Sequence, residues 1–138
     1  MICPVKNPVV TSPYGDRVLN GAAEFHPGVD YISNRNANVY AMDDGEVTTD
    51  KDNYDEAKRW LKDTSDSLGN VVIIRHGDYY VRYCHLISNY VSCGEKVKQG
   101  QLIGIYGNVG FSFGAHIHVD AWTVPDWKNV DISQLIEE

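Results

Sequence analysis

Short apolar and β-branched runs recur along the chain: "VVTSPYG", "GVDYI", "NVYAM", "GEVTT", "NVVIIRHG", "YYVRYCHL", "QLIGIYG" and "HIHVDAWT". Turn-forming pairs sit between or beside them: Asn20-Gly21, Asp44-Gly45, Gly77-Asp78 and Cys93-Gly94. This pattern predicts an all-β domain, an antiparallel β-sheet sandwich or open barrel. One stretch departs from it. In "DNYDEAKRWLKD", residues 52–63, Tyr54, Ala57, Trp60 and Leu61 fall at helical spacing, with Asp52 or Asn53 placed to cap. A short inserted helix is therefore expected near residues 53–63, its aromatic stripe packing against the sheet. A second short helix is expected after Asp131 in "VDISQLIEE". No repeat, low-complexity tract or linker interrupts the pattern, so residues 1–138 are expected to form a single domain.

Composition narrows the function classes. The chain is 43% hydrophobic and 22% charged, and a domain of this length buries roughly two thirds of its unfolded surface. No apolar run approaches the ~18 residues of a membrane span. The start "MICPVKNPVV" lacks the basic and apolar regions of a signal peptide, so neither export nor a membrane is expected. Twelve Lys and Arg against nineteen Asp and Glu give a net charge of −7, with no basic stripe, which argues against a nucleic-acid partner. Cys3, Cys84 and Cys93 form no C-x-x-C, which argues against a disulfide framework and against a cysteine-built metal site. Cys84 and Cys93 are the pair most able to bridge, but two buried free thiols are the expected state.

The chemistry lies in the five histidines, His26, His76, His85, His116 and His118. In "GAHIHVD", residues 114–120, strand alternation turns His116 and His118 to one face and Ile117 and Val119 to the other. In "FHPGVDY", His26 and Asp30 are four apart, and Pro27 and Gly28 between them argue for a turn leading into a strand. Catalytic zinc takes three protein ligands of nitrogen or oxygen type and keeps a fourth position for water. His26, Asp30 and one of the H-x-H pair complete such a set.

Taken in order, "VTSPYG", "FHPGVDY", "VYAMDDGEV", "GNVVIIRHG", "YCHL", "VKQGQLIGIYGNVG" and "GAHIHVD" resemble the lysostaphin/LytM-type zinc peptidases, which cleave peptide bonds in bacterial peptidoglycan. The resemblance runs from residue 9 to about 122, with each motif in place. It implies an antiparallel sheet with a groove and one Zn2+ per chain, held by His26, Asp30 and His118. It also implies two catalytic histidines, His85 and His116. One would act as base toward the attacking water, and the other would steady the oxyanion or protonate the leaving amine.

The expected function is a zinc-dependent endopeptidase that hydrolyses a stem-peptide cross-link or a cross-bridge at the bacterial cell wall. The chain would act as a monomer or within a larger multidomain or virion assembly, as a phage-encoded lysis or tail enzyme or as the excised domain of an exported protein. The alternative is a metal-free or inactive wall-binding or activator module of the same fold; the five unsubstituted positions argue against it. "VKQGQLIGIYG" also resembles the hairpin of biotinyl carriers, but Lys96 and Lys98 do not sit at a hairpin tip and the histidines would go unexplained.

Further residues take secondary roles. His76 is expected in a turn or packing role, with support of the site as the alternative. Asp120, where the family usually has glutamate, shares the His118 face and is a candidate partner for that imidazole. Cys84 adjoins His85 on a strand, which argues against a site using both. The loop "RVLNGAAEF" and the residues Val109, Phe113 and Ala115 depart from the family and edit the groove walls. Tyr106, Phe111, Phe113 and Trp122 are candidates for shaping the cleft or, more simply, for the core.

Overall fold

The computed structural model describes residues 1–51, 69–108 and 114–137. The helix expected near residues 53–63 lies outside the described residues. Among those described, the architecture is all-β and antiparallel, as the strand pattern predicts. Twelve strands follow in chain order: β1 (Pro8–Ser12), β2 (Gly15–Leu19), β3 (Ala22–His26), β4 (Gly28–Ser33), β5 (Asn38–Tyr40), β6 (Gly45–Lys51), β7 (Asn70–His76), β8 (Tyr79–Asn89), β9 (Lys96–Val97), β10 (Leu102–Tyr106), β11 (Ile117–Thr123) and β12 (Asn129–Val130). A 3-10 helix at Ile132–Leu135 stands where the second helix was expected, and Asp131 caps it by accepting from the Ser133 amide at 2.9 Å.

The main sheet runs β1-β4-β11-β8-β7-β6-β9, with β10 bridging β5 and β8, and β12 on β11. The eleven-residue β8 is its hub, paired with β7, β11 and β10. Alternation sorts the central strands. Val29 and Tyr31 of β4, Val81 and Tyr83 of β8, and Ile117, Val119 and Ala121 of β11 all belong to the buried core. Asp30, Arg82, His118 and Asp120 occupy the intervening positions.

The stretch "RVLNGAAEF", expected as a loop, instead forms most of the β2–β3 hairpin, a separate two-stranded sheet. Asn20 and Gly21 both have positive φ, 52° and 79°, as a two-residue type I′ turn requires. The hairpin was missed because its strands are too exposed to alternate between core and solvent. Phe25 is 54% and Val18 is 72% exposed.

Gly28 is required by close approach. A Cβ there would meet the Val119 carbonyl oxygen at 2.2 Å and the Asp120 Cβ at 2.8 Å, so only glycine lets β4 lie this close to β11 between His26 and Asp30.

The cysteine expectation is half corrected. All three thiols are free, and Cys84 is buried, but Cys93 is exposed, its thiol donating to the Thr48 carbonyl at 3.2 Å. Its neighbour Gly94 takes a positive φ in a surface turn. Turn residues there cannot carry the apolar neighbours that would bury a thiol.

Candidate functional site: a buried His-Asp-His triangle in a cleft

Strand pairing brings three of the expected residues together. β11 pairs with β4 so that His118 lies directly opposite Asp30, and β4 follows His26 across the Pro27-Gly28 turn. His26, Asp30 and His118 are all buried. Their facing atoms form a small triangle: His26 Nε2 to His118 Nδ1 at 3.1 Å, His118 Nδ1 to Asp30 Oδ1 at 2.9 Å, and His26 Nε2 to Asp30 Oδ1 at 3.3 Å. Zinc bonds of 2.0–2.1 Å in a tetrahedron set ligand atoms about 3.3 Å apart. The triangle fits such an ion within a few tenths of an ångström, and its donor types suit zinc.

The outer hydrogen bonds aim both imidazoles. His26 donates from Nδ1 to the Pro13 carbonyl at 2.9 Å, which leaves the Nε2 lone pair on the centre. His118 donates from Nε2 to Asp120 Oδ2 at 2.8 Å, leaving Nδ1 on the centre. The expectation for Asp120 as the His118 partner thus agrees with the geometry. Asp120 is fully buried and doubly gripped by Arg82, Nε to Oδ1 and Nη2 to Oδ2 at 2.7 Å each, with Trp122 Nε1 adding a third donor at 2.6 Å.

The charges follow from these contacts. Burial alone would raise the Asp30 carboxyl, but its close contacts with the His118 and His26 imidazoles outweigh it and hold it well below the usual carboxylate range. Burial likewise works against the Asp120 anion, and His118 and Arg82 more than offset it. The His118 imidazole, which burial would push down, is raised by its two carboxylates. A carboxylate-rich pocket of this kind favours a cation at Nδ1, and a metal there must displace the proton.

His85 and His116 join the same cleft. Their rings stand 4.6 Å apart between centroids, and His85 is 6.2 Å from the His118 ring. His116 donates from Nδ1 to the Gly114 carbonyl at 2.8 Å, and its Nε2 is 3.7 Å from Asp30 Oδ1.

His85 reaches the cleft by an irregularity. After Tyr83, strict alternation would send residue 85 into the core, yet Leu86 takes the core place and His85 adopts φ 66°. The β7–β8 register slips at this point: two steps along β7, from Asn70 to Val72, match three along β8, from Leu86 to Tyr83. The extra residue is a β-bulge, the device that re-aims one side chain without disturbing the strand beyond it.

The remaining candidates separate from the centre. Cys84 pairs with His118 across β8 and β11, but it is completely buried, and burial pushes its thiol well above the usual range, so no thiolate nucleophile forms. His76 has the packing role. Its Nδ1 donates to the Asp44 carbonyl at 2.9 Å, and its Nε2 accepts from the Tyr83 hydroxyl at 2.8 Å. Tyr106 is core, its hydroxyl accepting from the Ser33 amide at 3.0 Å. Trp122 is half-buried behind Asp120, and Val109, Phe111 and Phe113 lie outside the described residues.

The cleft, of about 710 Å³, is lined by His26, His85, His116 and His118 together with Ala115, Arg17, Val18, Phe25, Ile32 and Arg82. Sequence reasoning missed Arg17 and Arg82. The signal for Arg82 was its register opposite Asp120, which becomes visible only once β8 and β11 are paired.

Asp120→Asn is expected to weaken metal affinity by about 10- to 100-fold, since it disturbs the acceptor that fixes the His118 tautomer. A zinc-chelator competition titration measures this, and unchanged affinity would remove Asp120 from the site.

The family model for peptidase family M23 matches residues 24–132. The peptidoglycan DD-endopeptidase ShyC of Vibrio cholerae is 35% identical over 115 residues, which cover 80% of this chain and 24% of that protein. The chain spans about a quarter of the length of the curated relatives it matches. Among solved structures, the catalytic domain of the prophage-encoded M23 protein EnpA from Enterococcus faecalis superposes with a TM-score of 0.73 at 28% identity, covering 96% of this chain and 95% of that one. A zinc-containing peptidase from Vibrio cholerae also gives a TM-score of 0.73, at 27% identity, covering 92% of this chain and 37% of that one.

Proposed function

The chain belongs to peptidase family M23, and from that premise we propose that it is a zinc-dependent endopeptidase cutting peptide cross-links of bacterial peptidoglycan at the cell wall. The observation that carries this reading is the buried His26, Asp30 and His118 triangle facing the cleft that His85 and His116 also enter. Zinc is favoured by the donor set and by the zinc-containing peptidase of the same fold. Of the two bond classes open to such an enzyme, the stem-peptide link is favoured by the DD-endopeptidase ShyC. Residues 1–138 correspond to one catalytic domain, as the match to nearly all of the EnpA domain supports.

His26 Nε2, Asp30 Oδ1 and His118 Nδ1 would hold the ion. When bound, zinc supplies Lewis-acid polarisation and a water acidic enough to attack near neutral pH. The protein supplies the proton handling. His116 gives its Nδ1 proton to Gly114 and so presents a Nε2 lone pair to the cleft, the form of a general base. His85, ring to ring with His116, is placed to donate to the developing oxyanion or to the leaving amine. Asp120 and Arg82 keep His118 in its ligating tautomer while the proton moves.

The test is paired: zinc per chain in the purified protein, and release of new amino groups from purified cell walls with and without chelator. One zinc per chain with chelator-sensitive release is expected. A zinc-free protein that binds walls without cutting them would replace this reading with that of a binding module.

A further inference from the structure

Resting on the peptidase reading, we propose that Arg17 is a specificity-determining residue that pairs with a free carboxylate of the substrate near the scissile bond. The site would then select stem peptides, with their carboxylates and short alkyl side chains, over uncharged glycine-type bridges.

Arg17 stands on β2, in the β2–β3 hairpin, and lines the cleft beside the metal-ligand triangle. Its Nε donates to Glu24 Oε1 at 2.5 Å, its Nη1 donates to Ser12 Oγ at 2.7 Å, and Nη1 is 3.6 Å from Asp30 Oδ2. Those contacts engage Nε on one side of the guanidinium and Nη1 on the other, with Nη2 between them. Its Nη2 makes no hydrogen bond among the described residues, and the side chain is 27% exposed. An arginine with one donor nitrogen uncommitted in a cleft can give a charge-assisted hydrogen bond to a carboxylate.

Arg82, the other arginine of the cleft, commits its Nε–Nη2 edge to buried Asp120 and its face to the Trp122 ring, with 5.2 Å from Cζ to the ring centroid. Arg17, whose ion-pair partner is exposed Glu24 and not a buried carboxylate, is the more available of the two to a ligand. Its partner Glu24 is 40% exposed, and an exposed pair of this kind is easily shared or exchanged.

Val18, Phe25 and Ile32 line the same cleft as Arg17, with Val18 and Phe25 exposed, and offer apolar contact to an alkyl side chain next to the carboxylate.

The test compares two synthetic cross-linked stem peptides, identical except that the carboxylate beside the scissile bond is free in one and amidated in the other. With the zinc-loaded protein, the ratio of kcat/KM, free over amidated, is expected to be about 10 to 100, the effect of one hydrogen bond to a charged group. Arg17→Gln should bring the ratio close to one, and Arg17→Lys should restore part of it. Zinc content of each variant separates loss of carboxylate pairing from loss of support to Asp30.

Equal losses on both peptides, or no preference in the unaltered protein, would overturn the proposal. The same two peptides are also titrated for binding at a concentration of His85→Asn variant that does not turn them over. A binding preference lost in the Arg17→Gln, His85→Asn double variant upholds Arg17 even if the unaltered protein cuts neither peptide, a result that would instead sink the peptidase reading. Equal binding of both peptides sinks the role of Arg17.

Discussion

His118→Ala is expected to leave the protein without stoichiometric zinc and without detectable hydrolysis. The substitution removes Nδ1, the atom nearest both other corners of the triangle at 2.9 and 3.1 Å. Two protein ligands remain, fewer than the three that catalytic zinc sites use. The damage extends outward, because Asp120 loses one of the two partners of its Oδ2 and keeps only Arg82 and Trp122. Zinc per chain after dialysis, beside a thermal melt to show that the sheet persists, measures the effect. Full retention of zinc by a folded His118→Ala protein would remove His118 from the ligand set.

His85 should behave differently. Its replacement is expected to keep zinc and fold while lowering turnover by about 10²- to 10⁴-fold, the usual worth of a positioned acid or base. The choice of substitute matters, because residue 85 sits at φ 66° in the bulge of β8. An alanine there adds a backbone penalty of roughly 1–2 kcal/mol, whereas asparagine visits that region readily. His85→Asn therefore tests the imidazole and His85→Ala tests imidazole and bulge together. Turnover close to normal in the asparagine variant would exclude His85 from proton handling, and a loss confined to the alanine variant would assign the defect to the bulge.

The two histidines illustrate different kinds of legibility. His118 was legible because it lies in an unbroken alternating run, where Ile117, Val119 and Ala121 enter the core and the even positions must face the other way. His85 could be assigned only through the motif "YCHL", since period-two reading of β8 puts it on the face of Tyr83. The bulge that corrects this is a property of how β8 pairs with β7, and no residue of β8 announces it. The β2–β3 hairpin escaped for the complementary reason. Its exposed strands carry no core stripe, so only the Asn20-Gly21 turn marked it.

By itself, then, the sequence determined the all-β class, the turn positions and which residue types stood ready for a metal. Those follow from local sterics and from burial of alternate side chains, both written within a few residues of chain. The tertiary structure decided which of them meet. Asp30 and His118 are 88 positions apart and face each other because β4 and β11 pair in one register; a slip of one residue would turn either to the opposite face. The same pairing set Arg82 against Asp120, while the packing of the hairpin brought Arg17 to the cleft. Strand register is fixed by the whole core closing at once, and alternation along one strand specifies a face but never the neighbour across from it.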